Sequence, residues 1–480
     1  MDNSCLLADD PGDGSLPLGV AQFAQLLGLQ CGVLCRGGLL DVSSSRQNGT
    51  LVAMSYRTLR SLSTLLANRL RTLVRAGASL YIRGGFPRGE QCLLAPLVSA
   101  SFSYVPGRVA QTYRIEANPL VPAVLRGEVA SGSFQLPSAR GISEQIRPLA
   151  TARFEAAEWA PFLFGVKCGA GVIICDLLPD SALQSPNEPI VDRLADPAKR
   201  CADLGALVAA RLGARIDPEA RAGLSLVVDD RTANFDYLNA SNLRRWLSRA
   251  ESKFPGAHVD FAWTPDQLRP ANSYVDTLKR FNTGIIWHGF KHHINYRHAT
   301  NLRDDLRDGM QMVADISRRY QVTFQQVMAF PFEAFGLNAL PVLQEGGFIA
   351  TFANQLAAVG LWSPFPSFMD YSTPMHEQFV NIFPVLRRRS CKSLSRDVML
   401  AHAALNLPIV TVLHPDELGL RRWPYSPLSQ GSIEHCDKVL DFAAAKHLLP
   451  QSVEEVARDV SARPRPQLLE QKELDRINAL

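Results

Sequence analysis

GLSLVVDDR, residues 223–231, is an apolar run that stops abruptly on two carboxylates, Asp229 and Asp230. A short apolar run of this kind reads as a buried strand, and strands buried on both faces belong to parallel sheets. Adjacent carboxylates at a strand end repel each other and lose solvation, penalties that a nearby cation relieves. A solvated turn is the plainer alternative. Three further stretches repeat the pattern. TGIIWHGFKHHINY (283–296) places His288 four residues before His292, with His293 adjacent. That spacing can bring two imidazoles to one metal ion. MAFPFEAFG (328–336) sets Pro331, Phe332 and Glu333 just after a strand, where they suit a pocket lining or a loop start equally. LPIVTVLHPDEL (407–418) ends a buried strand on His414, a place that also suits a satisfied core histidine.

Helical patterns fill the gaps between these strands, at 241–253, 271–281, 301–320, 432–448 and 452–460. Repeated strand–helix units with polar residues at the strand ends predict a (β/α) barrel, whose chemistry gathers at the C-terminal strand ends. Upstream, Pro179, Pro186, Pro189 and Pro197 mark 178–200 as a linker. The expected domains are therefore 1–185 and 200–480. The first of them also alternates: CLLAD, TLVAMSY, ASLYIRGG and GAGVIICDLLPD read as strands, with helices at 16–29 and 58–76, the latter stopped by Gly77. Strands separated by helices predict an α/β doubly wound parallel sheet.

Composition narrows the function classes. A hydrophobic fraction of 46% with 20% charged residues is an ordinary globular balance. A net charge of only +4, with basic residues spread out apart from Arg387, Arg388 and Arg389, argues against nucleic acid. No run of about twenty apolar residues is present, so no transmembrane helix is expected. The start, MDNSCLLADD, is acidic where a signal peptide is basic, which points to a cytoplasmic protein. Nine cysteines, most of them in apolar runs, read as buried free thiols of a reducing compartment. Homo-oligomerisation is left open.

Taken in order, the four strand-end motifs resemble those of the NodB-type polysaccharide deacetylases. Asp229-Asp230 match the opening Asp-Asp, and His288 and His292 match a His-Ser/Thr-x-x-His motif in which Gly289 departs. Pro331-Phe332 match an Arg-x-Pro-Tyr/Phe motif in which Ala329 replaces the arginine; Leu413-His414 loosely match the closing Leu-x-His. Trp362 or Asp370 stands where a fourth motif falls. The first domain, through LVRAGASLYIRGG (73–85) and KCGAGVIICDLLPD (167–180), resembles flavodoxin-type glutamine-amidotransferase-like domains. It lacks the Gly-x-Cys-x-Gly elbow, and Cys92 sits in GEQCLLAP. That implies a structural or carbohydrate-facing domain without thiol chemistry.

The resemblance implies a distorted NodB-type barrel holding a divalent metal, zinc above all, on Asp230, His288 and His292. Asp229 would be the general base and His414 the general acid. The substrate would be a carbohydrate bearing an N-acetyl group, with Arg231, Trp287, Pro331, Phe332 and Glu333 around it. The missing arginine normally steadies the catalytic aspartate, and Arg231 is the nearby substitute. Two alternatives stay open: a catalytically inactive carbohydrate-binding protein, or a glycoside hydrolase using two carboxylates such as Asp229 and Glu333.

Overall fold

The computed structural model describes residues 4–8, 18–27, 29–34, 49–154, 158–179, 190–230, 240–268, 270–290, 302–331, 335, 339–353, 385–415, 418 and 428–462. The chain divides into two compact units at Ala220/Arg221.

The first unit is built on one mixed sheet. Gln30–Leu34, Ser4–Ala8, Thr50–Ser55, Ser79–Arg83 and Gly171–Asp176 lie side by side in that order, all parallel. All but Gln30–Leu34 are strands that the sequence predicts, and helices cover both faces of the five. Val52, Met54, Leu80, Ile82, Ile173 and Cys175 pack with Leu70, Leu73 and Val74 of helix Thr64–Arg75. Helix Pro197–Gly213 packs against the same strands, with Gly205 against Asp176 and Gly213 against Leu51. The sheet then departs from a wholly parallel one. Trp159–Cys168, Ile146–Arg153, Ser101–Ile115 and Gln91–Leu93 continue it antiparallel, and Val129–Arg140 pairs with Ser101–Ile115.

Two local readings change. The single helix expected over 58–76 is two, Tyr56–Ser61 and Thr64–Arg75, because Ser63 caps the second by accepting from the Leu66 N–H. The stretch 178–200 is not only a connection. Ile190–Ala195 is helical, and Asp196 caps the next helix by accepting from the N–H groups of Ala198 and Lys199, with Pro197 as its first residue. The division between units consequently falls after this long helix and not before it.

At Gly171 the Gly171–Asp176 strand passes close to the end of helix Thr64–Arg75. A β-carbon there would lie 2.1 Å from the Val74 carbonyl oxygen and 2.2 Å from that of Ala78. Backbone cannot swing aside as a side chain does, so Gly171→Ala is expected to cost about 2–3 kcal/mol. Chemical denaturation of the variant beside the wild type checks this; unchanged stability would show that helix and strand can separate freely.

The second unit is a curled, parallel sheet. Its order is Ala350–Ala353, Phe324–Met328, Thr283–Trp287, Val259–Trp263, Gly223–Asp230 and Ile409–Leu413. One chain segment joins the two ends. Val385–Arg387 pairs with Ala350–Ala353, and after Arg388 the pairing switches, so that Arg389–Ser390 pairs with Ile409–Leu413. The curl follows from the twist of the strands and brings the C-terminal ends of strands distant in sequence to one rim. At the opposite end of the strands a buried carboxylate, Asp260, ties the unit together. Its Oδ1 accepts from Gln325 Nε2 at 2.7 Å and lies 3.0 Å from His258 Nε2. Its Oδ2 accepts at 2.7 Å from the Val453 N–H, the first residue of helix Val453–Ala462. Among the described residues no helix is long and apolar enough to cross a membrane.

Candidate functional site

Each candidate on the rim is delivered by the end of a parallel strand. Asp229 lies on Gly223–Asp230, His288 follows Thr283–Trp287, Ala329 follows Phe324–Met328, Arg388 follows Val385–Arg387 and His414 follows Ile409–Leu413. Bonds to the backbone knit two of these exits to each other and to the end of Val259–Trp263. The His288 N–H donates to the Trp263 carbonyl at 2.8 Å, and the Ala329 N–H to the Trp287 carbonyl at 2.7 Å. The Thr264 hydroxyl donates to the His288 carbonyl at 3.1 Å.

Asp229 is the best-defined member. It is 6% exposed, and its Oδ1 accepts from Arg388 Nη1 at 2.5 Å. Burial alone would push this carboxyl up. The guanidinium of Arg388 and the nearby His288 and His414 outweigh burial and hold it below the ordinary carboxylate value. Arg388 is itself 2% exposed, with its guanidinium carbon 5.2 Å from the centre of the Phe352 ring. An arginine fixed in this way is a rigid donor and a permanent charge.

His288 is also buried, and its Nδ1 lies 3.1 Å from the Ala329 carbonyl oxygen. A carbonyl can only accept, so Nδ1 carries the proton of the neutral ring. Burial pushes this imidazole down more than Asp229 pulls it up, which keeps it neutral. A neutral imidazole whose other nitrogen is anchored on a carbonyl is the usual state of a metal-ligating histidine.

The other sequence candidates are distributed unevenly. Asp230 ends its strand in register with Trp263, but its side chain lies outside the described residues, as do Arg231, His292, His293, Phe332, Glu333, Trp362 and Asp370. Among the described residues no three His, Cys, Asp or Glu side chains form a metal-holding group. His414 is exposed at the rim. Trp287 is 6% exposed and packs edge-on against Phe324 and Phe348 at 5.7 and 5.3 Å. Pro331 is buried. The arginine on Asp229 is Arg388, from the segment that joins the two ends of the sheet. In the sequence it is one member of the basic run Arg387–Arg389.

No protein-family model and no curated protein matches the sequence. Solved structures do. Agd3, a novel carbohydrate deacetylase, aligns over 96% of this chain and 87% of its own, with a TM-score of 0.55 at 10% identity. The chain shares its fold with a carbohydrate deacetylase. A chitin deacetylase from the fungal pathogen Colletotrichum lindemuthianum covers 49% of this chain and 88% of its own, at 17% identity and a TM-score of 0.31. A variant of the peptidoglycan deacetylase PdaC from Bacillus subtilis covers 53% and 96%, at 13% identity and a TM-score of 0.29. At these identities the likeness is one of fold, and any chemistry has to be argued from the rim residues themselves.

Proposed function

We propose that the second unit is a metal-dependent carbohydrate deacetylase that removes an N-acetyl group from an amino sugar or glycoconjugate. The observation that carries this reading is the buried Asp229–Arg388 pair beside His288 and His414 on the rim. His288, held through Nδ1 on the Ala329 carbonyl, is the proposed ligand of a divalent metal, most plainly zinc, with Asp230 and His292 as its proposed partners. A metal bound there would polarise the amide carbonyl as a Lewis acid.

The chain's own residues would do the rest. Asp229, kept ionised by Arg388 on its Oδ1, takes a proton from the attacking water. Arg388 keeps the carboxylate in one orientation through that transfer. His414, on the exposed side of the rim, donates a proton to the departing amine nitrogen. Acetate and a free amine are the products. The first unit has no part in thiol chemistry on this reading: the Cys92 thiol is pushed up to about 11, chiefly by burial, so it is not a ready nucleophile.

The test is metal content and acetate release, for the wild type beside His288→Ala. About one divalent ion per chain, lost in the variant together with at least about a hundredfold of the activity on N-acetylated oligosaccharides, is expected. No bound metal after zinc addition would sink the mechanism and leave a carboxylate-based glycosidase to consider. Metal and sugar binding without acetate release would instead identify a carbohydrate-binding protein.

A further inference from the structure

The segment that carries His288 is clasped by the segment that leaves the neighbouring strand, Val259–Trp263. The His288 N–H donates to the Trp263 carbonyl at 2.8 Å, the Thr264 hydroxyl to the His288 carbonyl at 3.1 Å, and the Asp266 N–H to the Phe290 carbonyl at 3.3 Å. The first and last of these run between backbones, whereas the second is made by a side chain. It is made in place of a commoner bond. Thr264 stands at the N-cap of the short helix Pro265–Gln267, where a threonine ordinarily accepts from a backbone N–H of the first turn. Its side chain makes no such bond. The residue is 2% exposed, and its hydroxyl turns instead to the exit of the next strand.

The need for this clasp lies one residue further on. Gly289 has a φ of +65°, in the left-handed region. Glycine takes either sign of φ with similar ease, so the peptide between His288 and Gly289 has little local preference for one orientation. The carbonyl of that peptide is the one Thr264 holds. Helix Leu302–Tyr320 also closes on the segment: a β-carbon at Gly309 would lie 3.0 Å from the Phe290 ring and 3.1 Å from that of Trp287. We propose that Thr264 is a positioning residue for His288 as a metal ligand. The assignment rests on the deacetylase reading of the rim. The hydroxyl fixes the main chain from which the imidazole projects, and the Ala329 carbonyl fixes the ring through Nδ1. A ligand already held in one direction has less freedom to lose when a metal binds, so Thr264 contributes affinity without touching the ion.

The full-length chain, stripped of metal, is titrated with zinc against a chromophoric chelator, as wild type, Thr264→Val and Thr264→Ser. The site followed is the one that His288→Ala removes. Valine keeps the branched shape and lacks the hydroxyl; serine keeps the hydroxyl. Zinc affinity should fall about ten- to a hundredfold in Thr264→Val, the usual range for groups that orient a ligand, and Thr264→Ser should recover most of it. Amide hydrogen exchange over residues 284–290 of the metal-free protein should quicken in the valine variant and not in the serine one. Thr264→Ala takes the place of Thr264→Val if that variant does not fold. Equal zinc affinity with and without the hydroxyl overturns the positioning role and leaves the deacetylase reading standing. Quickened exchange with unchanged affinity overturns it too, because the hydroxyl then serves the fold alone. A wild type that takes up no zinc sinks the deacetylase reading itself, and this assignment with it.

Discussion

Arg388→Ala should destabilise the second unit by about 3–5 kcal/mol at neutral pH, because it strands the buried carboxylate of Asp229 without its counter-charge. The pair is 2% and 7% exposed, so solvent cannot substitute for the guanidinium. The pH dependence carries the diagnostic sign. Folded Asp229 is held below its ordinary 3.8. Its contribution in the wild type is therefore present above about 3.8 and disappears only as pH falls through the lower folded value. In the variant, burial is left to dominate and raises the carboxyl, so the folded state gains by protonation. The gap between variant and wild type should narrow from pH 7 to pH 4.5. Urea denaturation at the two pH values measures it, and an equal gap at both would show that Arg388 acts through packing on Phe352 alone. Arg388→Lys should recover only part of the loss, since an ammonium cannot reproduce the planar fork. Deacetylation in the alanine variant should fall at least about a hundredfold, the usual scale for a misplaced catalytic group.

Asp260→Ala is the second large effect, expected at about 3–5 kcal/mol. The substitution leaves the Gln325 amide, the Val453 N–H and His258 without their shared acceptor, and all three bonds lie on a fully buried carboxylate. Activity of molecules that remain folded should be little changed, because Asp260 lies at the opposite end of the strands from the rim. A companion effect has the reverse pH sign from that of Asp229. Burial alone would lower the His258 imidazole, but the hydrogen bond to Asp260 and its charge, helped by Asn282 and Glu455, bring it above its ordinary 6.5. The protonated ring therefore stabilises the fold below about pH 6.5, and this contribution fades as pH rises through the higher folded value. Thermal unfolding of the wild type and His258→Gln between pH 5.5 and 8.5 should show the difference shrinking toward alkaline pH. A constant difference would remove the ion pair from the account.

The two units differ in how much of their structure the residues reveal locally. Gly223–Asp230, Thr283–Trp287 and Ile409–Leu413 are unmistakable because parallel strands covered on both faces are continuously apolar. The antiparallel half of the first sheet is harder. In Ser101–Ile115 and Val129–Arg140 buried and exposed residues are interspersed, and what defines the strands is a partner in another part of the chain. Pro197 misleads in a different way: with Asp196 before it, it starts a helix, and reading it with the neighbouring prolines as a connection hides the cap. In the site, Asp229, His288 and His414 stand out because polar residues closing apolar strands are unusual. Arg388 does not. Its significance depends on a switch of pairing partners within Val385–Ser390, which no local pattern in the sequence encodes. Trp287, next to a candidate ligand, packs edge-on with Phe324 and Phe348, a contact that the sequence does not announce.

The joint at Arg388 also sets an order of events during synthesis. Asp229 and Arg388 are separated by 159 positions in the chain. On a ribosome that delivers the N-terminal part first, the Gly223–Asp230 strand emerges long before the arginine that neutralises it. Until then the nascent unit carries a carboxylate that favours water over burial, and both edges of its sheet remain unpaired. Contacts of such high sequence separation form late and slowly. The rim is therefore completed in the same late step that closes the sheet, and truncated or stalled chains ending before residue 388 retain an open-edged sheet with no assembled site.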